Sequence, residues 1–424
     1  MKIIADLHIH GKYSQATSKS IDIPNLEKYA RIKGISLLGT GDFTHPKWIE
    51  EIRKELTEDE TGILKTKSGF NFVLQTEISL AYTQGGKGRR VHNLVLAPNL
   101  EVVKQITDYF LTKGRVDYDG RPIFKIPCPE FVESLQSISK EIEVIPAHIW
   151  TPWFAMFGSK SGFDSIKDCF LDKADRIHAI ETGLSSDPAM NWRLSQLDNI
   201  QILSFSDLHS FWPWRIGREA TIFDIKPTYK ALLDAIKTGE NIDGTIEVDP
   251  GYGKYHFDGH RACNIMLSPQ ESMKNNKMCP VCKRELTIGV LNRVEELADR
   301  GEGYKSKNAK PFYTLVPLSE LIAAKLNSAV ASRQVWAEYN KITKETSEFE
   351  VMLNMDNDEL LKRTDGQMAE LILQNREGKI FVKPGYDGMY GELVLDQTKP
   401  EPKVEQEWQQ TKKRKVQTGL SQFL

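Results

Sequence analysis

The chain opens on a short apolar run, Ile3-Ile4-Ala5, which passes into an alternation, Asp6-Leu7-His8-Ile9-His10. A period of two marks a strand with two unlike faces. Asp6, His8 and His10 therefore share one face, and Ala5, Leu7 and Ile9 the other. Further short apolar runs at residues 35–42, 70–78, 91–96, 143–148, 177–181 and 201–209 each predict a strand. Between them, residues 23–33, 47–56, 100–112, 129–140, 163–170 and 187–197 carry apolar positions at helical spacing. Pro24 and Pro129 fit the first turn of a helix, where proline is tolerated. Residues 229–237 close the series with a helix stopped by Gly239. Strand–helix alternation through residue 242 predicts parallel strands and an α/β fold.

The polar positions of this pattern are unusual. Nearly every strand delivers a metal-type ligand at or just beyond its end: His8 and His10, Asp42 and His45, Glu77, His148, Glu181, then Asp207 and His209. His92 stands at the start of its strand, and Gly85, Gly86 and Gly88 precede it. These glycines allow the third and fourth strands to turn back on each other and bring His92 beside Glu77. An α/β barrel gathers functional groups at the carboxyl rim of its strands. Any one of these histidines taken singly reads as an ordinary surface or core residue; the recurrence reads as a metal centre. Such a centre suits phosphoester hydrolysis, because bound divalent metals lower the pKa of a water and neutralise phosphate charge. No Ser/His/Asp pattern and no Gly-x-x-x-x-Gly-Lys loop competes.

Composition narrows the setting. The chain has 424 residues, 40% apolar and 27% charged, enough for two or three globular domains. Its net charge of −2 provides no overall attraction for nucleic acid, so such binding would rest on local basic patches. Met1-Lys2 leads straight into a strand, so no secretory signal is expected, and no apolar run reaches the ~20 residues of a membrane span. No membrane association is expected. Five cysteines, two of them spaced Cys279-x-x-Cys282, favour a metal site in a reducing cytoplasm over disulfides.

His8-x-His10, Thr40-Gly41-Asp42, Glu77, His92, His148 and Asp207-x-His209 together resemble the PHP (polymerase and histidinol phosphatase) family. The resemblance implies a distorted seven-stranded (β/α)7 barrel holding up to three divalent metals, zinc or alternatively magnesium or manganese. It implies that His8, His10, Glu77 and Asp207 hold one metal and that Glu77 bridges to a second held by His92 and His148. His209 would serve a third. Asp207, Glu77 and His209 are the residues expected to carry catalysis. The family has a histidine directly after the Asp of its second motif, where this chain has Phe43, so Asp42 or His45 is the expected replacement. Glu181 is either a further ligand or a partner that orients one.

Two loops beside the ligands are aromatic. Trp150 and Trp153 follow His148; Trp212, Trp214, Arg215 and Arg218 follow His209. They either stack on nucleic-acid bases and meet backbone phosphate or pack beneath the rim.

Residues 243–259 are rich in Gly, Asp and Pro and read as a boundary. Beyond it, His260-x-x-Cys263 and Cys279-x-x-Cys282 stand fifteen residues apart. That is close to a two-knuckle structural zinc spacing, with His256 an alternative fourth ligand. Residues 243–300 are thus expected to form a zinc-binding domain carrying local basic charge from Lys274, Lys277, Lys283, Arg284 and Arg293. Helical patterns at 290–300 and 318–339 and two short strands around Pro384-Gly385-Tyr386-Asp387-Gly388 describe a mostly helical region, 301–397, with a terminal hairpin. Residues 398–416 are polar and read as a flexible linker, with the basic run Lys412 to Lys415 suited to a nuclear signal or to passage near DNA. The final residues place Gln417, Leu420, Phe423 and Leu424 as in the peptide by which DNA-repair enzymes bind a PCNA-type sliding clamp, with Leu424 where that peptide has an aromatic.

A PHP-like segment, a zinc knuckle and a clamp-like tail in one chain resemble the endonuclease Q family. The Gly259 to Cys282 segment and Ile180-Glu181-Thr182-Gly183-Leu184-Ser185-Ser186 carry the resemblance most specifically. It implies a monomeric DNA-repair endonuclease of the archaeal or bacterial cytoplasm, associated with the chromosome. Such an enzyme cuts the phosphodiester on the 5′ side of a deaminated base (uracil, hypoxanthine, xanthine) or an abasic site. The alternatives are a PHP-type small-molecule phosphatase and a non-catalytic DNA-binding scaffold. The zinc unit and tail argue against the first, and the ligand set against the second.

Overall fold

A computed structural model describes residues 2–395. Its centre is a ring of seven strands, five of them short: β1 (Lys2–Asp6), β2 (Leu37–Gly39), β3 (Asn71–Gln84), β4 (Lys87–Ala97), β5 (Glu143–Pro146), β6 (Ala179–Glu181) and β7 (Gln201–Leu203). β1 pairs parallel with β2, and β2 with β3. β6 and β7 pair in parallel. Backbone hydrogen bonds just beyond the strand ends join the rest of the ring. Ile149 N donates to Glu181 O (3.2 Å), Leu208 N to His8 O (3.2 Å) and His10 N to Leu208 O (3.0 Å).

The parallel order breaks at β4: the turn-back expected from the glycines is present, and the expectation of a parallel partner in β5 is corrected. β3 and β4 form an antiparallel hairpin, and β4 also pairs antiparallel with β5. The turn is Gly85-Gly86, both with positive φ (60° and 73°), as a two-residue hairpin turn requires. A two-residue connection leaves no room for the crossover helix that parallel pairing needs. After β4, two helices carry the chain out and back, so β5 again enters beside the end where β4 finished.

The helices form where caps and apolar stripes coincide. In α1 (Ile23–Lys33) the Asp22 side chain accepts from Asn25 N, Pro24 occupies the first turn, and Gly34 stops the helix at φ 100°. Its Ile23, Leu26 and Ala30 are buried; truncating such a leucine to alanine costs about 2–5 kcal/mol. α2 (Pro46–Glu55), α3 (Leu100–Lys113) and α4 (Cys128–Ile138) follow, and α5 (Tyr229–Thr238) ends at Gly239 in the left-handed conformation.

Two strands that the apolar pattern did not announce extend the sheet. β8 (Ala220–Asp224) lies antiparallel to β1, and β9 (Ile242–Glu247) antiparallel to β8. The zinc-type segment begins with the hairpin of β10 (Asp258–His260) and β11 (Ile265–Leu267), and α6 (Val290–Leu297) follows it. β12 (Phe312–Thr314) then pairs parallel with β9, so the later chain completes the edge of the first sheet. The helix expected over 318–339 is two helices, α7 (Leu318–Lys325) and α8 (Arg333–Ile342), the second capped by Ser332. α9 (Asn357–Arg363) and α10 (Gly366–Arg376) complete the group. The terminal hairpin of β13 (Phe381–Lys383) and β14 (Glu392–Val394) is tied at its turn to the zinc-type segment, while Leu393 packs against the main core. Arg261 N and Thr287 Oγ1 both donate to Asp387 (2.7 Å each), and the Tyr386 hydroxyl donates to Asn264 (2.8 Å).

The helical group is fastened to the ring by a buried charge. Lys33 Nζ donates to Glu348 Oε1 (2.7 Å) and to Pro213 O (3.0 Å), and the Tyr339 hydroxyl donates to Glu348 Oε2 (2.8 Å). Around it, Trp212 and Trp214 stack on each other, with ring centres 5.5 Å apart, and both lean on Trp336 of α8. Among the described residues no helix is long and apolar enough to cross a membrane.

Candidate metal centre

Four histidines converge on one carboxylate. Glu77 is fully buried on β3, and its two oxygens face different partners. Oε2 lies 3.6 Å from His8 Nε2 and 3.3 Å from His10 Nε2. Oε1 lies 2.7 Å from His92 Nδ1 and 3.1 Å from His148 Nε2. Asp207 Oδ1 closes the first group, 3.5 Å from His8 Nε2 and 3.1 Å from His10 Nε2. His8, His10, Glu77 and Asp207 thus offer ligand atoms within 4.8 Å of one another, as do Glu77, His92 and His148. The hairpin turn produces the second group, since it pairs Ser79 with His92 and sets His92 diagonally across from Glu77.

A second layer of carboxylates fixes the rings. Nδ1 of His8 lies 2.9 and 3.1 Å from the Glu181 oxygens, and Nδ1 of His10 lies 3.0 Å from Asp42 Oδ1. With Nδ1 engaged, each ring turns Nε2 toward Glu77 and Asp207, the arrangement by which carboxylates orient metal-binding histidines. Glu181 also accepts from His148 N (2.7 Å); Asp42 Oδ2 accepts from Gly11 N (2.6 Å) and Ser14 Oγ (2.8 Å). Both carboxylates are engaged in these bonds and, among the described residues, neither joins a cluster of ligand atoms; Asp42, expected as a ligand, and Glu181, expected as a ligand or an orienting partner, both stand here as partners that orient histidines.

The backbone is held out of its relaxed conformation here. Asp42, His148 and Asp207 adopt positive φ (41°, 31° and 46°), each costing on the order of 1–3 kcal/mol for a residue with a side chain. Gly183 lies against this strain. At φ 53°, a Cβ on it would stand 2.4 Å from His148 Cβ, so only glycine fits the Thr182-Gly183-Leu184 turn.

The electrostatics favour a cation. Burial alone would raise the Glu77 carboxyl, but His92, Arg121 and His8 outweigh it and hold it well below the usual carboxylate range. Burial likewise opposes charge on His8, yet Glu181, Asp207 and Glu77 lift it to about 10. His8 Nε2 is buried and has no hydrogen-bond partner. A buried, unpartnered imidazole nitrogen facing two carboxylates, and a carboxylate whose oxygens divide between two histidine pairs, fit a pair of divalent metals sharing Glu77.

The other expected site residues fall elsewhere. Asp6, on the face of His8, accepts from Ser206 N (3.0 Å) and Gly217 N (2.9 Å) and takes no part in the cluster. His45 precedes α2 and stacks on Tyr13, ring centres 4.5 Å apart, so it does not replace the absent histidine. His209 stands at the edge, its Nδ1 2.9 Å from Asp207 O and its ring edge-on to His10. Among the described residues His45 and His209 join none of the clusters, and a third site around them does not assemble. Trp150 is buried, its indole N–H donating to Asn191 (2.8 Å), which corrects its expected contact with nucleic acid. Arg218 spends its guanidinium on Ser206 O (3.1 and 3.0 Å), supporting the backbone next to Asp207. Trp212 and Trp214 belong to the seam with α8, and Arg215 lies 3.9 Å from Glu320. Trp153 remains exposed, at 39%, braced edge-on by Tyr255, and the Arg215 side chain is exposed to the same extent.

One residue escaped the sequence reading. Arg121 Nη1 donates to Glu77 Oε2 (3.1 Å) from the loop after α3. Its one local mark is the turn-type triplet Asp119-Gly120-Arg121, which carries no metal-ligand pattern.

The zinc-type segment brings His260, Cys263, Cys279 and Cys282 within 4.8 Å of one another. His260 Nδ1 lies 3.4 Å from Cys282 Sγ. His256 stacks instead on Phe257, with its Nδ1 buried and unpaired, so His260 is the residue that meets the three cysteines. The buried local apolar core is Ile265, Leu267, Cys279 and Leu286, with Cys263 and Ile288 half-buried against it. So small a core needs a cross-link, and four N/S donors in reach of one another fit a tetrahedral zinc.

Comparison with known proteins agrees with this geometry. A family described as the MJ0043 C-terminal domain matches residues 317–379, spanning α7 to α10. An uncharacterised protein of Methanocaldococcus jannaschii is 36% identical over 261 residues, 59% of this chain but 32% of that protein, so this chain spans about a third of its length. The crystal structure of a lesion-specific endonuclease Q from Pyrococcus furiosus superimposes with a TM-score of 0.84 at 30% identity, over 95% of this chain and 98% of that one. An endonuclease Q complexed with a 27-mer duplex carrying an abasic lesion at its active site gives 0.83 at 32%, over 94% and 98%. Identity of 30% or more over nearly the whole of both solved chains, with the metal-type cluster assembled, means that the chain belongs to the endonuclease Q family of DNA endonucleases.

Proposed function

We propose that this chain hydrolyses the DNA phosphodiester on the 5′ side of a deaminated base (uracil, hypoxanthine or xanthine) or an abasic site. The observation that carries the reading is the double cluster on Glu77. Its support is the likeness to an endonuclease Q bound to an abasic duplex. We read the ring of strands as a PHP-type barrel over residues 1–242, followed by the zinc domain to 300 and the helical region to 397.

His8, His10, Glu77 and Asp207 would hold one divalent metal and Glu77, His92 and His148 a second, zinc or alternatively magnesium or manganese. When bound, the metals supply Lewis-acid charge at the phosphate and lower the pKa of a water. The chain's own residues do the rest. Glu181 and Asp42 keep the His8 and His10 rings facing inward. Asp207 is ionised beside them, well below its usual range despite burial, through His209, His8 and His10. With Nδ1 of His209 against Asp207 O, its Nε2 is left to exchange a proton with a leaving oxygen at the mouth. Lifting the damaged nucleotide out of the stack costs a few kcal/mol and least for a mismatched or abasic position, which favours lesions over intact pairs. Trp153 is the exposed ring at the rim that suits a base.

The zinc unit would be structural and would add basic surface for the duplex. The clamp-binding peptide, Gln417, Leu420, Phe423 and Leu424, lies outside the described residues; as a proposal it recruits a PCNA-type clamp to a monomeric enzyme of the cytoplasm, and calorimetry with purified clamp showing no heat would remove it.

The test of the activity compares uracil, hypoxanthine, xanthine and abasic duplexes with an undamaged duplex and a small phosphomonoester. Cleavage 5′ to lesions alone is expected, and Asp207→Asn should abolish it while leaving DNA binding in place. Turnover of the phosphomonoester with no cutting of lesions would make the chain a phosphatase instead.

A further inference from the structure

Arg121 reaches the cluster by a purpose-built turn. Asp119 Oδ1 accepts from Gln15 N (3.2 Å) and Arg121 N (3.1 Å). Gly120 N donates to Tyr13 O (3.3 Å), and a Cβ on Gly120 would stand 2.3 Å from both Asp42 Oδ2 and Ser14 Oγ. The loop is therefore pressed onto the segment that carries His10, and this closeness directs Arg121 at Glu77. The guanidinium keeps 22% side-chain exposure although Glu77 is fully buried, so it faces the cluster on one side and solvent on the other.

Its hydrogen bonding is incomplete for a structural role. Arginine offers five N–H donors in a planar fork, and a single contact is made to Glu77 Oε2. Two arginines that brace the fold bind more fully: Arg376 donates to three backbone carbonyls and Arg193 grips both oxygens of Glu295. A partly used guanidinium fork that keeps one side open to solvent beside a candidate metal centre matches a phosphate oxygen, which arginine recognises by charge and shape.

We propose that Arg121 contacts a non-bridging oxygen of the scissile phosphodiester and holds that phosphate over Glu77 and Asp207. This rests on the phosphodiester reading above and goes beyond the ligand pattern, which does not contain Arg121.

The test uses metal-loaded wild type, Arg121→Ala and Arg121→Lys on an abasic duplex under single-turnover conditions, with metal content measured for each. The same duplex with an uncharged methylphosphonate at the scissile position serves as a competitive inhibitor. Loss of a charged hydrogen bond should raise the half-saturating concentration of the ordinary duplex by about 10–100-fold in Arg121→Ala. Arg121→Lys should recover part of this, and metal content should not change. The methylphosphonate duplex should inhibit wild type and Arg121→Ala equally, because the charge that Arg121 reads has been removed. Equal weakening of both duplexes by Arg121→Ala, loss of metal from that variant, or kinetics equal to wild type would each overturn the proposal. A wild type that cuts no lesion duplex would instead overturn the activity on which the proposal rests.

Discussion

Glu181 holds His8 from behind: its Oε1 lies 2.9 Å from Nδ1, while Nε2 of the same ring points at Glu77 and Asp207. A ring fixed in this way presents one nitrogen, in one tautomer, to one place. Glu181→Gln keeps the shape but weakens that control. Metal affinity should fall about 10–100-fold, with cleavage restored by added metal. A metal titration equal to wild type would show that His8 needs no such support.

The zinc-type segment should unfold with its metal. Cys279→Ser with Cys282→Ser removes two of four donors around a core of four apolar side chains. About one zinc per chain should be lost, the segment's amides should exchange freely with solvent, and duplex binding should weaken. Unchanged zinc by elemental analysis would reject the site.

Lys33 and Glu348 should be far more costly to separate than to replace together. Both side chains are 2% exposed, so Lys33→Met leaves an uncompensated buried carboxylate, a loss of about 3–5 kcal/mol. Lys33→Met with Glu348→Leu should recover much of it. Urea unfolding of the three proteins gives the comparison; a double variant as unstable as the single would contradict it.

A pair of buried carboxylates sets a pH dependence. Glu219 accepts from Leu184 N and Val248 N, and Glu247 from Thr182 Oγ1 and Ser204 Oγ. Burial, and for Glu247 the neighbouring Glu219, raises both carboxyls, that of Glu219 to about 8. Above the ordinary value of about 4.3 the unfolded chain has released protons that the folded chain retains. Stability from this pair is therefore present at low pH and is lost as pH rises toward 8. Glu219→Gln with Glu247→Gln should flatten the fall in unfolding free energy between about pH 4.5 and 8. Parallel slopes for variant and wild type would refute it.

Much of this molecule was legible in its residues. Period-two alternation around His8 and His10, the first-turn prolines Pro24 and Pro129, the stop at Gly239, and the glycines before His92 are local signals, decided by backbone geometry over a few residues. They suffice to predict α/β order, a turn bringing His92 to Glu77, and a two-knuckle spacing in His260 to Cys282. What local signals cannot carry is the direction in which a side chain is spent. Asp42 and Glu181 have the chemistry of ligands, yet their oxygens face His10, Gly11 and Ser14 and His8 and His148. Trp150 and Arg218 have the chemistry of a nucleic-acid surface, yet folding aims them at Asn191 and Ser206. Arg121 has no motif and lies 44 residues from Glu77, and it meets that carboxylate because Gly120 lets its loop close on Asp42. The sequence by itself determined which groups were available and where strands and helices would place them; the tertiary structure alone decided which reach the metal centre, because a buried polar atom must be satisfied by whatever packing sets beside it.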